Sequence, residues 1–261
     1  MSEARRQQLA RFIEARGFVR VADAADELEV STVTVRGDLV ALEQRGLVTR
    51  VHGGAMPAHA LREQSLEASL DRDAAAKTAI GRAAAATVVS GSAIYVDAGS
   101  TAMAMVDALV ERRELQDVIV VTTGLTIALA LEAAMPRFTV IVTGGTLRSL
   151  QHSLVNPFAA PMLASLRLDV AFIGCNGIHP DHGVTNLNLP DAEIKRLVMA
   201  ASARRVLIAD GSKLGRTDLA VISEVIEFQE LITAGEAPDG VLGALAGVGI
   251  SIHRADRPTP R

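Results

Sequence analysis

Several loops of this sequence place glycine and hydroxyl-bearing residues directly after an apolar, β-rich run. These segments are 97-DAGST-101, 122-TTG-124, 143-TGGTLR-148 and 207-LIADGSKLGR-216. The start of a helix attracts anions through its free N–H groups and its dipole. The first loop therefore predicts a phosphate site at Gly99, Ser100 and Thr101. Thr123 and Gly124 repeat the arrangement in the second loop.

Charged side chains accompany the later loops. Arg148 is able to pair with a phosphate or a carboxylate. Asp210 is able to accept hydrogen bonds from sugar hydroxyls, and Lys213 is able to meet an anion. Taken singly, Asp210 is equally consistent with a turn cap and Lys213 with a solvated surface lysine. Several such loops at corresponding strand ends nevertheless favour one shared pocket.

The cysteine and the histidines give little support to catalysis or metal binding. Cys175 lies in an apolar run with no histidine implied nearby, which is typical of a small core residue. His179 and His182 share one loop, but the six histidines show no metal-ligand spacing. We therefore expect no catalytic residue, no metal and no cofactor.

A different chemistry is indicated by 30-VSTVTVRGDLVALEQRGLVTRVHGG-54, which reads as a capped helix followed by a hairpin. The residues expected to contact DNA lie at the outer face of this helix and on the hairpin: Ser31, Thr32, Val33, Thr34, Arg36, Gly37, Arg50 and His52. Arg36 is able to reach a base or a phosphate, and Val33 is able to contact a thymine methyl. Arg50 and His52 are able to clamp the neighbouring backbone.

Composition limits where such functions reside. The chain has 261 residues and a formal charge of -4, so DNA binding must rest on local charge. Residues 1–56 contain eight arginines and eight acids, and the two signs are segregated along the sequence. A single cysteine excludes an internal disulfide and favours a reducing cytoplasm. No apolar run approaches the roughly 20 residues of a membrane span.

The elements that must position these residues form two domains. Residues 1–56 predict three short helices and a hairpin, which is a winged helix-turn-helix. Residues 57–75 are expected to be a linker, and residues 254–261 a disordered tail. Residues 76–253 alternate β-rich runs with helices, which predicts an α/β domain with a mainly parallel sheet. Five runs are expected to be strands: AIYVDAG, VIVVTTG, FTVIVTGG, DVAFIGCNG and RVLIADGS.

The pattern SxxTVRxDLxxLEQRGLVTRVHGGA resembles the DeoR family of bacterial transcription regulators. The resemblance continues through DAGST, TGGTLR, DVAFIGCNGI, GVTN with EIKRLVM, and LIADGSKLGR, and covers about residues 5 to 233. It implies an effector domain similar to ribose-5-phosphate isomerase in fold that senses a phosphorylated sugar or a related metabolite. It also implies effector roles for Asp97, Gly99, Ser100, Thr101, Gly144, Gly145, Glu193, Lys195 and Lys213.

Three positions depart from the family pattern. Gly37 stands where the family reads TIRRDL, Gly124 where it has asparagine, and Asn156 where it has glycine. Glycine inside a helix costs about 1 kcal/mol relative to alanine. The absent arginine also removes one phosphate contact, which lowers the slope of log K against log salt concentration by about one. Two explanations stay open for Gly37: a closer approach of the helix backbone to the groove, or drift.

The function expected from these features is a DNA-binding regulator, a repressor of a carbohydrate-use operon that a phosphorylated sugar or similar small anion relieves. Paired DNA half-sites imply a homo-oligomer, a dimer or a tetramer. One alternative is a phosphosugar isomerase with an accessory amino-terminal domain, in which Asp97, Glu193 or Asp210 is the general base. A protein-interaction adaptor is a third possibility.

Overall fold

The computed structural model describes residues 2–16, 19–51, 53–58 and 63–256. The chain forms two units, Met1–Gln64 and Ser65–Arg261, and each has its own apolar core. Among the described residues, no helix combines the length and the apolar character that crossing a lipid bilayer requires.

Three helices and a small antiparallel sheet make up the first unit. Its elements are α1 (Ser2–Arg16), β1 (Val19–Arg20), α2 (Val21–Glu27), α3 (Thr32–Gln44), β2 (Val48–Val51) and β3 (Gly54–Pro57). The strand order is β1-β3-β2. Val35, Leu39 and Leu42 of α3 are buried, so the predicted apolar face is confirmed. The predicted cap is confirmed as well, because the Ser31 Oγ accepts a hydrogen bond from the Thr34 N–H at 3.1 Å.

The second unit contains three sheets. Its strands are β4 (Ala93–Val96), β5 (Val118–Thr122), β6 (Phe138–Val142), β7 (Thr146–Arg148), β8 (Ser153–Val155), β9 (Leu168–Ile173), β10 (Gly177–His179), β11 (Gly183–Asn186), β12 (Ser202–Ile208), β13 (Ala220–Ser223), β14 (Glu230–Thr233) and β15 (Ser251–Arg254). The main sheet is parallel, with the order β15-β14-β12-β9-β4-β5-β6. The five strands predicted from the sequence are β4, β5, β6, β9 and β12. Two antiparallel additions are β10-β11-β13 and the hairpin β7-β8.

Helices cover both faces of the main sheet. They are α4 (Leu66–Leu70), α5 (Ala74–Ala86), α6 (Ser100–Glu111), α7 (Leu125–Leu131), α8 (Ala159–Ala164), α9 (Leu189–Ala201) and α10 (Val241–Gly247). Ile94 and Val96 of β4 join the core beneath α5, α6 and α7, whereas Tyr95 joins the core beneath α8, α9 and α10. Alternate residues of one central strand therefore fill two cores, as the period of two in a strand requires.

The strand order reverses between β4 and β9. From β4 the chain adds β5 and β6 on one side, and from β9 it adds β12, β14 and β15 on the other. In open parallel sheets, ligands bind outside the carboxyl ends of the strands at such a switch point. Asp97 follows β4 there and Gly174 follows β9, so the switch point lies among the predicted effector residues.

The domain boundaries differ in detail from those expected. The segment 57–75, expected to be a linker, includes the last residue of β3, all of α4 and the start of α5. The expected tail, 254–261, begins inside β15, because Arg254 pairs with Thr233 and also forms an ion pair with Asp256. Residues 257–261 lie outside the described residues.

Candidate functional site

The outer face of α3 is open to solvent. Val33 is 73% exposed, and Thr32, Arg36 and Gly37 are also exposed. Ser31 is exposed just before the helix, whereas Thr34 is half-buried and hydrogen-bonds to it. The predicted DNA-contact residues of this helix thus form one accessible surface.

Gly37 has no structural reason to be glycine in this unit. A Cβ at this position meets nothing within 4 Å, and the residue lies inside a regular helix. Neither a close contact nor a left-handed backbone therefore excludes a side chain. An arginine at this position would extend from the same surface as Arg36.

Asp38 anchors α3 to α1, which the sequence reading missed. Its side chain is nearly buried and accepts from Arg5 Nε at 2.6 Å and from Arg6 Nε at 2.9 Å. Burial raises the pKa of Asp38, but the hydrogen bonds from the two arginines outweigh burial and lower that pKa below its ordinary value. Arg5 and Arg6, two of the eight arginines of residues 1–56, therefore form ion pairs inside the first unit.

The two residues predicted to clamp the DNA backbone differ in how much the structure describes. Arg50 lies on β2 and is exposed, with its Nε 2.7 Å from the Glu43 Oε2. An exposed ion pair contributes little stability, so a phosphate is able to replace the Glu43 carboxylate. His52 lies outside the described residues.

At the end of β4, the loop 97–101 separates into a buried part and an accessible part. Gly99 has φ of +122°, which favours glycine, and α6 begins directly after it at Ser100. Ser100 and Thr101 are half-buried. Among the described residues, no side chain caps this helix, so its first N–H groups remain available as donors. The predicted phosphate position is thus intact in the fold.

Asp97 and Lys195 lie beneath this loop as a buried ion pair. The Lys195 Nζ is 3.0 Å from the Asp97 Oδ2 and 3.2 Å from the Asp191 Oδ2. It also donates to the Gly174 carbonyl at 2.9 Å and approaches the Asn186 Oδ1 at 3.5 Å. The N–H groups of Ala98 and Gly174 each donate to Asp97 at 2.9 Å. Both predicted effector residues are therefore held by the protein itself.

Burial and neighbouring charges act in opposite directions on the pKa values of Asp97, Asp191 and Lys195. Burial raises the pKa of Asp97, and the Lys195 charge offsets only part of that effect. Burial acts on Asp191 in the same direction, but the charges of Lys195 and Arg148 outweigh it and lower the pKa of Asp191. Burial opposes the charged form of Lys195, yet Asp191 and Asp97 raise the pKa of the ammonium. Lys195 therefore stays charged at neutral pH.

Arg148 reaches this cluster from the β7-β8 hairpin. Its Nη1 lies 2.8 Å from the Asp191 Oδ1 and donates to the Ser153 Oγ at 3.0 Å. Gly145 permits this placement, because its φ is +150° and a Cβ would lie 2.0 Å from the Val155 carbonyl oxygen. The neighbouring Gly144 packs against the side chain of Phe158, 3.0 Å from where its own Cβ would stand.

Thr123 and Gly124 are packed rather than open. The Thr123 side chain is fully buried, with its Oγ1 3.1 Å from the Tyr95 hydroxyl oxygen. A Cβ on Gly124 would lie 2.8 Å from the Ile127 Cγ1 and 3.4 Å from the Ala98 Cβ. The asparagine of the family pattern would require Ile127 to move at this position.

Glu193 lies apart from the buried cluster. It is exposed on α9, and its Oε2 accepts a hydrogen bond from the Asn156 Nδ2 at 2.7 Å. Asn156, one of the departures from the family pattern, thus supplies a partner for a residue that the resemblance connects with the effector.

Asp210 and Lys213 lie beside Cys175, at the carboxyl end of β12. The Asp210 Oδ1 accepts from the Ser212 N–H at 3.0 Å, whereas its buried Oδ2 has no hydrogen-bond partner among the described residues. Burial raises the pKa of Cys175 to about 12, and the charges of Lys195, Lys213 and Asp210 act on the same thiol.

Sequence reasoning missed three partners in this site: Asp191, Asn186 and Ser153. Asp191 stands four residues before Lys195, a spacing that brings side chains together on one face of a helix. It was interpretable as an ordinary first-turn acid, and it also accepts from the Asn186 Nδ2 at 2.8 Å. Ser153 gave no local indication, because only the hairpin register brings it to Arg148.

These features define a class of protein: a DNA-binding regulator with a winged helix-turn-helix unit and an α/β sensor unit. The DeoR-like helix-turn-helix domain model matches residues 5–60, and the DeoR C terminal sensor domain model matches residues 72–234. The chain belongs to the DeoR family of transcriptional regulators. The family assignment from the sequence pattern is thereby confirmed.

Relatives match along almost the whole chain. An uncharacterized HTH-type transcriptional regulator of Escherichia coli K12, YgbI, is 33% identical over 249 residues, 95% of this chain and 96% of the relative. The glycerol-3-phosphate regulon repressor of Haemophilus influenzae is 25% identical over 241 residues, 92% of each chain. Ribose 5-phosphate isomerase A from Neisseria gonorrhoeae overlaps with 52% of each chain, at 18% identity and a TM-score of 0.39.

Proposed function

We propose that this DeoR-family regulator represses a carbohydrate-use operon and releases it on binding a phosphorylated sugar or a related small anion. The observation that supports the proposal is the start of α6 at Gly99–Thr101, which no side chain caps among the described residues, in a chain that also exposes the outer face of α3. The Haemophilus influenzae relative is a glycerol-3-phosphate regulon repressor, which favours a phosphorylated effector.

The DNA contact is assigned to the outer face of α3. The first turns of the second helix in a helix-turn-helix enter the major groove. Thr32, Val33 and Arg36 are exposed there and supply a hydroxyl, an apolar group and a cation for base edges or phosphates. Ser31, Thr34 and Gly37 complete this surface, and Arg50 and His52 are assigned to the backbone beside it.

Within the sensor unit, different residues take different roles. Gly99, Ser100 and Thr101 hold the phosphate, and Lys213 supplies a nearby cation. The free Oδ2 of Asp210 accepts a sugar hydroxyl. Two pairs set the shape of the floor and the rim: Asp97 with Lys195, and Gly144 with Gly145. Arg148, Thr123, Gly124 and Glu193 border the site.

The chain acts without catalysis in this proposal. Asp97 has 1% of its surface exposed and its Oδ2 is held by Lys195 and Gly174, so it is not positioned to take a proton from a substrate. Glu193 is exposed and lies outside the buried cluster. General-base catalysis requires a carboxylate within reach of the substrate proton. Asp210, the third candidate base, is assigned in this proposal to binding a hydroxyl group.

A homo-oligomer, a dimer or a tetramer, completes the proposal. One winged helix-turn-helix reads only a short stretch of duplex, and paired modules read paired half-sites with useful specificity. The effector acts by favouring an arrangement of the DNA-binding units that no longer fits the operator. It is able to shift that equilibrium only by its differential affinity for the two arrangements.

A thermal-shift screen with ribose 5-phosphate, fructose 6-phosphate, glucose 6-phosphate and glycerol 3-phosphate tests the sensor assignment. At least one of them raises the Tm, and ribose and glucose without phosphate do not. Thr101→Val removes the hydroxyl and weakens that binding by about tenfold, the value of one hydrogen bond to a charged group. Thr78→Val, at an exposed position of α5, leaves it unchanged. A panel without any Tm shift contradicts the proposal.

A further inference from the structure

The β7-β8 hairpin touches the first helix of the sensor unit. The Leu66 N–H, at the start of α4, donates to the Leu150 carbonyl at 2.7 Å. Beside it, the Glu67 Oε1 lies 2.7 Å from the His152 Nε2. Leu150 and His152 both belong to the turn that joins β7 and β8, so this turn is fastened to α4 by a main-chain bond and a side-chain bond.

The same hairpin contacts the buried cluster through the residue that precedes this turn. Arg148, the last residue of β7, forms the 2.8 Å ion pair with the Asp191 Oδ1. The other oxygen of Asp191 lies 3.2 Å from the Lys195 Nζ, and that ammonium lies 3.0 Å from Asp97. Three contacts thus separate Arg148 from Asp97, which stands two residues before the predicted phosphate position.

The two strands of the hairpin are paired along their whole length. Thr146 pairs with Val155 and Arg148 pairs with Ser153 across its two strands. Its backbone is also bonded to the end of β5, because the Leu154 N–H donates to the Thr123 carbonyl at 2.9 Å. Arg148 and Ser153 form the last strand pair before the turn, so a displacement of Arg148 acts directly on the turn.

The negative charge of a bound phosphate is the expected cause of a displacement of Arg148. Arg148 and Lys195 balance Asp97 and Asp191, so the four buried groups carry no net charge when all are ionised. A phosphate at the start of α6 adds negative charge next to this balanced set. In a poorly solvated site it competes with Asp191 for the Arg148 guanidinium, which favours two-pronged contacts with phosphates.

We propose that the turn of the β7-β8 hairpin carries the effector signal to α4, with Arg148 before the turn and His152 at its end as positioning residues. The chain of contacts runs from Asp97 through Lys195, Asp191 and Arg148 to the turn and then to α4. Helix α4 is the first element after the unit Met1–Gln64, so it is the element of the sensor unit that follows the DNA-binding part along the chain. This inference rests on the proposed function, because it needs an effector that weakens operator binding.

The test separates coupling from binding. The full chain is titrated with DNA from upstream of its own coding sequence, with and without the panel phosphate that gives the largest Tm shift. Three quantities are measured: the effector Kd, the operator Kd without effector, and the factor by which the effector raises the operator Kd. A merely structural role alters the first two, and a coupling role alters the third.

Glu67→Ala and His152→Asn each remove the side-chain bond between the turn and α4, and they leave the main-chain bond and the buried cluster in place. Asparagine suits position 152, because His152 has φ of +46°. Each variant keeps the effector Kd and the effector-free operator Kd within about twofold of wild type and lowers the coupling factor by about fivefold, and the double variant lowers it no further. Glu111→Ala, at an exposed position of α6, is the matched control and leaves the factor unchanged.

The outcomes distinguish the two ideas. A wild-type chain whose operator Kd ignores every panel phosphate contradicts the proposed function and the relay together. A wild type that responds, with Glu67→Ala and His152→Asn responding equally, overturns the relay alone. If one variant does not fold, the other decides the outcome.

Discussion

Lys195 has four acceptor atoms around three N–H donors, and this arrangement determines what it contributes to a ligand. Its partners are Asp97, Asp191, Asn186 and the Gly174 carbonyl, all within 3.5 Å. A phosphate contact would remove one of them and leave a buried carboxylate with less compensation. At the scale of residues, the partners of Lys195 already satisfy its ammonium, whereas the first N–H groups of α6 and the buried Oδ2 of Asp210 have no side-chain partner among the described residues.

Cys175 is expected to be chemically inert in the folded chain. The thiolate is the reactive form, and burial raises the pKa of this thiol from 9.0 to about 12. The thiolate fraction near pH 8 is then about 1,000-fold lower than for an ordinary cysteine. An aromatic disulfide reagent should therefore react about 1,000-fold more slowly with the native protein than with the chain unfolded in guanidinium. Comparable rates would contradict the raised pKa of this thiol.

Gly37→Arg tests whether the open face of α3 lacks a phosphate contact. Because a side chain at position 37 meets nothing within 4 Å, the variant folds normally. It should tighten operator binding and steepen the dependence of log K on log salt by about 0.9. Gly37→Ala is the control, since it stabilises the helix by up to about 1 kcal/mol without adding charge. An unchanged salt slope in Gly37→Arg would exclude the lost-contact explanation.

At the scale of elements, the sequence predicted the long apolar helices and strands but not the short strands. The apolar face of α3 and strands β4, β5, β6, β9 and β12 followed from periodicity and from continuous apolar runs. Strands β7, β8, β10 and β11 have only three or four residues and little apolar pattern, so local sequence did not reveal them. The loops at the switch point were predictable because strand ends share one edge. The contacts of Arg148 with Asp191 and Ser153 were not predictable, because tertiary packing brings Asp191 to the guanidinium and the hairpin register brings Ser153 there.

The contact between α1 and α3 should depend on the Asp38 carboxylate. Replacing it in Asp38→Asn removes two charged hydrogen bonds from a nearly buried site. The free energy of unfolding should fall by about 2 kcal/mol, measured by urea titration of the full chain. Asp26→Asn, at an exposed position of α2, should change it little.

The same carboxylate predicts an acid dependence. Burial raises the pKa of Asp38, but Arg5 and Arg6 lower it below the ordinary 3.8. The stabilisation is thus complete above pH 3.8 and is lost as the pH falls through the lowered value. Wild type should lose this increment on acidification and Asp38→Asn should not. Parallel stability curves for the two proteins would show that the ion pairs do not hold α1.

The base of the β7-β8 hairpin should not accept a side chain at position 145. In Gly145→Ala, the new Cβ would stand 2.0 Å from the Val155 carbonyl oxygen at φ of +150°. Strain of this kind costs about 1–3 kcal/mol, and the displaced hairpin should also weaken phosphate binding. Gly243→Ala is the control, because position 243 of α10 is open and helical. A Gly145→Ala protein with unchanged Tm and effector Kd would refute this account of the hairpin.

At the scale of the whole molecule, the formal charge is -4, yet the chain belongs to a DNA-binding family. Of the arginines in the first unit, Arg5, Arg6, Arg45 and Arg50 form ion pairs within it, whereas Arg36 forms none among the described residues. Binding should therefore rest on few phosphate contacts and on local geometry. The sensor unit is then required to change only the fit of the DNA-binding units to paired half-sites.

The most direct test of the central claim is an operator-binding isotherm of the full chain, measured by fluorescence anisotropy with and without the stabilising phosphate. The operator Kd should rise at least about fivefold at saturating ligand, within the usual range of allosteric coupling. Arg36→Ala should weaken operator binding while leaving the ligand-induced Tm shift intact. Arg113→Ala, the same charge change on the sensor unit, should leave both operator binding and the Tm shift unchanged. An operator Kd that stays constant or falls at saturating ligand would contradict the account.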